Sequence, residues 1–449
     1  MAIDLLTKIY SSFKTFQPPV KEAYVQCEDV RGGWEVVREL GRKITRSKQP
    51  TCQLYSGHRG VGKSTELLQL QEYLVKEKYF VVYFAADDED IEPQDAEYAD
   101  ILFACTRHLV EAIKLNNHNP LLNWMKNFGE LLKDSTLTDL SFEGLSLEQQ
   151  ISLFDKITAN LRAIPDKRRE FRQIINANTL LLVDALNDFI MEAKKSLPTD
   201  NRGIVLIADN LDRIVETKEE GKPSNYDEIY LNRSEIFRGL ACHVIYTVPI
   251  AMIYSGQAAQ LENNYDTPNV LPMVMVRNED GSDNQAGLDK LKELICRRVS
   301  LIDQRLVQTL EGQVSGLDFP AVFDSPETLR LLCSMSGGHV RNLMQLIQKA
   351  IDWTDELPIT GKAARRSVEE IRETYRKTVQ EDQWEVLARS CHRRSMDNDG
   401  AHLRLLLNRC LLEYRYYDEN DTLQTWYNVH PLIEGIPRFQ TALKKIQSL

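Results

Sequence analysis

The sequence predicts an α/β fold: a parallel five-stranded sheet core with a helical insertion, followed by an α-helical lid and a winged-helix domain. Three observations predict it. The apolar run Cys52 to Tyr55 leads into a glycine-rich loop, and apolar residues then recur at Leu67, Leu68, Leu70, Tyr73 and Leu74 with helical spacing. Four more apolar runs follow, at Tyr79 to Asp90, ending in an acidic loop, Gly203 to Ile214, Cys242 to Pro249 and Leu271 to Asn278. Beyond them the pattern turns helical, and it ends in two aromatic-rich segments around a polar turn.

In chain order, MAIDLLTKIYSSF reads as a short amphipathic helix rather than a leader, because Asp4 interrupts any apolar region. Strand, loop, helix and second strand give βαβ order, which calls for parallel pairing with helices on both faces. From about Lys114 to Ser196 the pattern is helical with no convincing strand, ending in a long amphipathic helix, and this is read as an insertion. Gly287 to Tyr375 reads as all helix. Helices near Gln383 to Arg393 and Ala401 to Glu413, followed by EYRYYDENDTLQTWYNVHPLI as a hairpin, suggest a winged helix-turn-helix. The expected domains are an N-terminal segment (1–23), the α/β core (24–286, insertion about 114–196), the lid (287–380) and the winged domain (381–449). No repeat of solenoid length is present.

Composition bounds the function. The 449 residues carry 55 Lys plus Arg against 66 Asp plus Glu, a formal charge of −11, so nothing draws the whole surface to a polyanion. The longest apolar runs fall short of the roughly 20 residues that cross a bilayer, and the expectation is a cytoplasmic protein with no membrane partner. Eight scattered cysteines include no CxxC pair and read as reduced thiols.

The chemistry concentrates in Gly57, His58, Arg59, Gly60, Val61, Gly62, Lys63, Ser64 and Thr65, which fit G-x-x-x-x-G-K-[ST] at every fixed position. Small residues let backbone N–H groups curl round a phosphate, Lys63 reaches the β- and γ-phosphates, and Ser64 is placed to ligate Mg²⁺. That motif implies ATP and Mg²⁺ as ligands. GIVLIADNLDRI supplies a second metal ligand, Asp209 at a strand end, with Asp212 three residues on. Asn210 stands where an acid would activate water and cannot take a proton, so either Asp212 is the base or hydrolysis is slow. Asp212 could equally pair with Arg213 or cap a turn. Thr247, ending CHVIYTVP, suits a polar contact to the γ-phosphate or attacking water, and suits a strand equally well. In MSGGHVRNLMQLIQKAI, Gly337 and Gly338 precede a helix with Arg341, which could reach back to the nucleotide. Arg297 and Arg298 are open to a role in trans, although two arginines ending a helix are more often solvated.

Taken together, GHRGVGKST, VLIADNLDR, VIYTVP and SGGHVRNL resemble the AAA+ superfamily of P-loop NTPases, specifically its STAND and origin-recognition-like branch, from about Tyr24 to the end. The resemblance implies an ATPase core with a helical lid and a winged helix. It also implies that YVQCEDVRGGWEVVREL wraps the adenine through Val25 and Val30. WYNVHPLIEGI looks like the M-H-D segment of NLR-type STAND proteins, with His430 as the residue that would contact ADP; Val429 and Pro431 depart from that pattern, and a structural histidine is the other reading.

For DNA, the helix in the reading position, AHLRLLLNRCLLE, is leucine-rich with only Arg404 and Arg409 basic. Residues 381–449 hold 9 basic against 10 acidic side chains. A groove reader needs a basic exposed face, so DNA is disfavoured as a partner. KAARRSVEEIRETYRK, with 6 basic and 3 acidic residues, is the remaining polyanion candidate.

The expected function is a slow ATPase switch acting with a protein partner or effector, and the resemblance extends this to bacterial defence or stress signalling. A nucleotide-dependent oligomer stays open. The alternatives are a DNA-associated AAA+ ATPase of the origin-recognition or transposition-regulator kind and, third, a metabolic P-loop enzyme such as a kinase.

Overall fold

The computed structural model describes residues 2–15, 21–115, 165–218, 220–309 and 318–448, and the isolated positions Pro120, Leu121, Trp124 and Thr158. Most of the expected insertion, apart from 165–196, lies outside the described residues. The chain forms two compact units: Met1–Glu35, Gly57–Glu66 and Val270–Leu449 in one, Val36–Ser56 and Leu67–Asn269 in the other. These are called here the loop unit and the sheet unit.

The sheet has the order β2-β3-β4-β1-β5, with β1 at Cys52–Gly57, β2 at Tyr79–Ala85, β3 at Gly203–Asp209, β4 at His243–Thr247 and β5 at Asn269–Leu271. The pairs β2/β3, β3/β4 and β4/β1 are parallel. Parallel strands are covered on both faces, which explains why β3 and β4 read as continuous apolar runs: every residue of β4, and all of β3 after Gly203, is buried. Helices α1 (Ala2–Ser12), α2 (Lys63–Lys76), α3 (Tyr98–Ile113) and α4 (Pro165–Ser196) form as the apolar periodicity requires.

Within the sheet unit, α4 contributes Phe171, Ile175, Leu182, Leu186, Phe189 and Ile190 to the core around Leu102, Ile204 and Val244. By length and hydropathy its stretch Arg168–Ser196 is long and apolar enough to cross a membrane. Those six side chains nevertheless lie buried in this core, while Leu180, Leu181 and Met191 of the same helix are exposed. Arg172 fastens α4 to the start of α3, bonding Asp100 at 2.6 Å, Asp95 at 3.0 Å and Glu97 at 3.1 Å. A kink at Asn178 has a local cause: its side-chain amide donates to Ile174 O at 2.8 Å, intruding on the helical ladder.

Three elements differ from expectation, one being the helix expected over Ala401 to Glu413, which ends at Leu407 and gives way to a strand from Leu411. The fifth strand, expected over Leu271 to Asn278, stops at Leu271, because Pro272 has no N–H to offer a ladder. Residues Met273 to Val276, all buried except the half-buried Met275, instead bond within the loop unit, Met273 N to Glu413 O at 3.4 Å and Met275 N to Val30 O at 2.9 Å. Also, the lid is not all helix. Between α5 (Gln285–Ser300) and α6 (Pro326–Met335) runs an antiparallel pair, β6 (Val307–Thr309) and β7 (Asp318–Pro320).

The lid continues with α7 (Val340–Asp352) and α8 (Gly361–Thr378). Side chains cap these helices where the sequence offers them: Asn284, Ser325, His339 and Thr360 each accept from a backbone N–H of the first turn. The winged module follows as α9 (Gln383–Arg393), α10 (Gly400–Leu407), the antiparallel strands β8 (Leu411–Tyr417) and β9 (Leu423–Val429), and α11 (Pro437–Gln447).

Candidate functional site

The loop unit builds its site around Gly57–Thr65. Gly57, Gly60 and Gly62 lie at φ 147°, 91° and 116°, in the region that favours glycine. At Gly60 space decides as well, since a Cβ would stand 2.6 Å from Cβ of Arg341.

Six consecutive carbonyls of this loop are each held by a donor. Lys63 Nζ donates to Gly57 O at 2.9 Å and His58 O at 3.0 Å. His339 donates from Nε2 to Arg59 O at 2.7 Å, the Arg341 N–H to Gly60 O at 3.1 Å, Arg31 Nη2 to Val61 O at 2.9 Å, and the Glu66 N–H to Gly62 O at 3.1 Å. A trans peptide points its C=O and the following N–H in opposite directions. Fixing the oxygens on one side therefore aims the amides at the other, and a row of amides at the start of α2 is an anion cradle.

Three of these donors come from far along the chain. Arg31 is 4% exposed, lies 3.9 Å from Glu66, and shares that carboxylate with the Tyr24 hydroxyl, which donates to it at 3.1 Å. Burial pushes the Glu66 carboxyl up, against the pull of Arg31 and Tyr24. Val25 and Val30 are buried in the same segment, and Val30 accepts from Met275.

His339 caps α7. Its Nδ1 accepts from Asn342 N–H at 3.0 Å, so the neutral ring carries its proton on Nε2, the atom that donates to Arg59 O. The Asn342 carboxamide continues the chain of contacts, 2.9 Å from the Tyr375 hydroxyl and 3.1 Å from Nε2 of His430. His430 accepts from Leu432 N–H at Nδ1 and stacks on Tyr375 at 4.7 Å. Its ring thus caps the short helix Pro431–Glu434, and it connects to the loop through Asn342 and His339.

His58 is 2% exposed, and neither ring nitrogen makes a hydrogen bond of good geometry among the described residues, although the Leu406 backbone bears on the ring. Burial first, then the charges of Lys63 and Arg409, push its imidazole down to about 3. Burial and Arg409 likewise bring His430 down to about 3 and hold His339 well below the usual range. All three rings are neutral at physiological pH.

The sheet unit places the acidic residues by strand register. Asp209 ends β3, paired with Ala85 of β2, and is 1% exposed. The Tyr83 hydroxyl donates to its Oδ2 at 2.8 Å and the Asn210 N–H to its Oδ1 at 2.7 Å. Asn210 turns the chain in left-handed backbone at φ 64°, a conformation asparagine tolerates. Asp212 lies buried in the turn that follows, while Arg213 pairs with Asp87. Thr247, opposite Tyr55 in the register and fully buried, accepts from Leu211 N–H at 3.0 Å and so secures that turn. The structure therefore gathers the loop residues with Val25, Val30, Arg341 and His430 in one unit, and Asp209, Asp212 and Thr247 in the other. Ser64 is half-buried in the first turn of α2.

Sequence reading missed Arg31, His339, Asn342 and Tyr375. Arg31 and His339 stand inside DVRGG and SGGHVRN, so motif position offered a signal for them. Asn342 closes the second of these motifs, and no signal pointed to Tyr375.

No family model matches the chain, and no curated protein matches it. Among solved structures, it is similar to the ORC2 protein of Aeropyrum pernix, in ADPNP–ADP complexes, at 12% identity and TM-score 0.39 over 98% of each chain. It is also similar to Cdc6p of Pyrobaculum aerophilum, at 12% identity and TM-score 0.38 over 97% of this chain and 98% of that one. A likeness of that degree carries neither fold nor function by itself.

Proposed function

We propose that the chain is an ATP-binding P-loop switch of the AAA+ type that hydrolyses ATP slowly. The observation that carries this reading is the restraint of all six carbonyls from Gly57 to Gly62, which turns the loop's amides into a phosphate cradle ahead of Lys63. The glycines and the loop sequence fit a nucleoside triphosphate. Bound Mg²⁺ would neutralise charge on the transferred phosphate, and Ser64 and Asp209 are its proposed ligands. Arg341 is the proposed lid contact to the nucleotide, and Val25 and Val30 belong to the proposed adenine wrap.

With Asn210 after Asp209, Asp212 is the remaining acid for activating water, and slow turnover is the expectation. The test is phosphate release from Mg·ATP by the purified protein. Asp212→Asn is expected to slow it at least tenfold with ATP affinity unchanged; undiminished turnover would make Asp212 structural.

The output has two readings. A closed switch that releases its winged module to a protein partner is supported by the contacts that tie His430 through Asn342 and His339 to the loop. A DNA-associated ATPase is supported by the cations Lys362, Arg365, Arg366, Arg376 and Lys377, all exposed on α8. Nothing supports the STAND branch or a defence role in preference to it. ATP-dependent DNA binding that weakens steeply with salt would decide for the second reading.

A further inference from the structure

One cation beside the loop has no place in that account. Arg409 stands in the turn between α10 and β8, in left-handed backbone at φ 60°, a conformation that is strained for a non-glycine residue. The turn is held firmly: Arg409 N–H donates to Leu406 O at 3.1 Å, Cys410 N–H to Leu405 O at 2.8 Å, and His430 N–H to Cys410 O at 2.9 Å. The guanidinium is half-buried and, among the described residues, makes neither ion pair nor hydrogen bond. The groups that feel its charge are His58 of the loop, His339 at the start of α7, Tyr375 of α8, His430 and the neighbouring thiol of Cys410. All are neutral, and Lys63, the other charge on His58, is a cation. A partly desolvated arginine without an anion is an incomplete arrangement.

The missing anion has a location. His58 is the loop residue whose buried ring makes no hydrogen bond of good geometry among the described residues, and its carbonyl is where Lys63 Nζ rests, 3.0 Å away. In a loop of this sequence the lysine serves the β- and γ-phosphates, so the Gly57–His58 end is the terminal-phosphate end. Resting on the nucleotide-site reading above, the geometry points to Arg409 as a ligand of the terminal phosphate of a nucleoside triphosphate bound by Gly57–Thr65. It would be contributed by the winged module, from a chain segment separate from Arg341. The winged module would then itself distinguish triphosphate from diphosphate, because only the former completes the charge of Arg409.

The test titrates Mg·ATP and Mg·ADP into the wild type, Arg409→Ala, Arg409→Lys and Lys63→Ala, and follows protease cleavage of the winged module with each nucleotide. Losing one charge-assisted bond should weaken ATP binding roughly ten- to a hundredfold. ADP affinity should change by less than about threefold, with Arg409→Lys in between. ATP should alter the cleavage pattern of the wild type and not that of Arg409→Ala. Equal losses for ATP and ADP, or no loss for either while Lys63→Ala binds neither, would overturn the assignment. If Lys63→Ala still binds both, the nucleotide-site reading falls, and this inference with it.

Discussion

The two units place their polar residues by different means. In the sheet unit, Asp209 and Thr247 stand where parallel strands end, and three neighbours along the register, Tyr83, Asn210 and Leu211, fix them. In the loop unit, a nine-residue loop is shaped by Arg31 from before it and by His339 and Arg341 from about 280 positions after it. Strand-end chemistry is thus local and tolerant of single losses, whereas the loop depends on long-range packing. Damage to the lid or winged module should therefore reach the loop, and damage in the sheet should stay near its origin.

The largest expected effect is at Gly338. It lies at φ 77°, and an added Cβ would stand 1.7 Å from Val274 O, its three nearest atoms all belonging to the backbone of Val274. Gly338→Ala should cost more than about 4 kcal/mol, among the severest single substitutions, and displace His339 from Arg59. Denaturant unfolding measures it, and a loss below 1 kcal/mol would mean that the turn adapts freely.

Next comes pH. His58, His339 and His430 have folded pKa values depressed below the unfolded value of about 6.5, so the unfolded chain takes up protons first as pH falls. Their contribution is whole above pH 6.5 and is lost on going down toward the folded values. Between pH 7 and 5.5 His58 and His430 together should remove roughly 2–3 kcal/mol from the stability of the loop unit, with His339 acting in the same direction. Replacing His339 by Gln should flatten that slope; an unchanged slope would show that this ring is not buried neutral.

The smallest effect tests the sheet unit. Tyr83→Phe removes one hydrogen bond to Asp209 and leaves the Asn210 amide in place, so about 1 kcal/mol is expected. A loss rivalling that at Gly338 would erase the contrast between the units.

The same contrast explains what was legible in the sequence. Strands β1 to β4, the loop and its helix, and the hairpin of β8 and β9 follow from apolar runs and turn residues, which are local signals. The short β5 was misjudged because Met273, Val274 and Val276 are apolar for another reason: they are buried within the loop unit, and Pro272 ends the ladder. The β6/β7 pair is only three residues on a side and carries too little periodicity to be seen. His430 was noticed as a residue type, yet its partner Asn342 lies 88 positions away, and no spacing rule connects them. Arg31 and His339 sat in quoted motifs, but their roles as donors to loop carbonyls appear only once the chain is folded.

The central claim is that the restrained loop binds nucleotide through its amides and Lys63. Calorimetric titration of Mg·ATP into the wild type and Lys63→Ala tests it directly, with thermal unfolding as a check on folding. The account predicts saturable one-site binding by the wild type and at least a hundredfold loss in Lys63→Ala, with the unfolding midpoint in the absence of nucleotide little changed. Equal affinities for the two proteins, or a wild type that takes up no nucleotide, would contradict it.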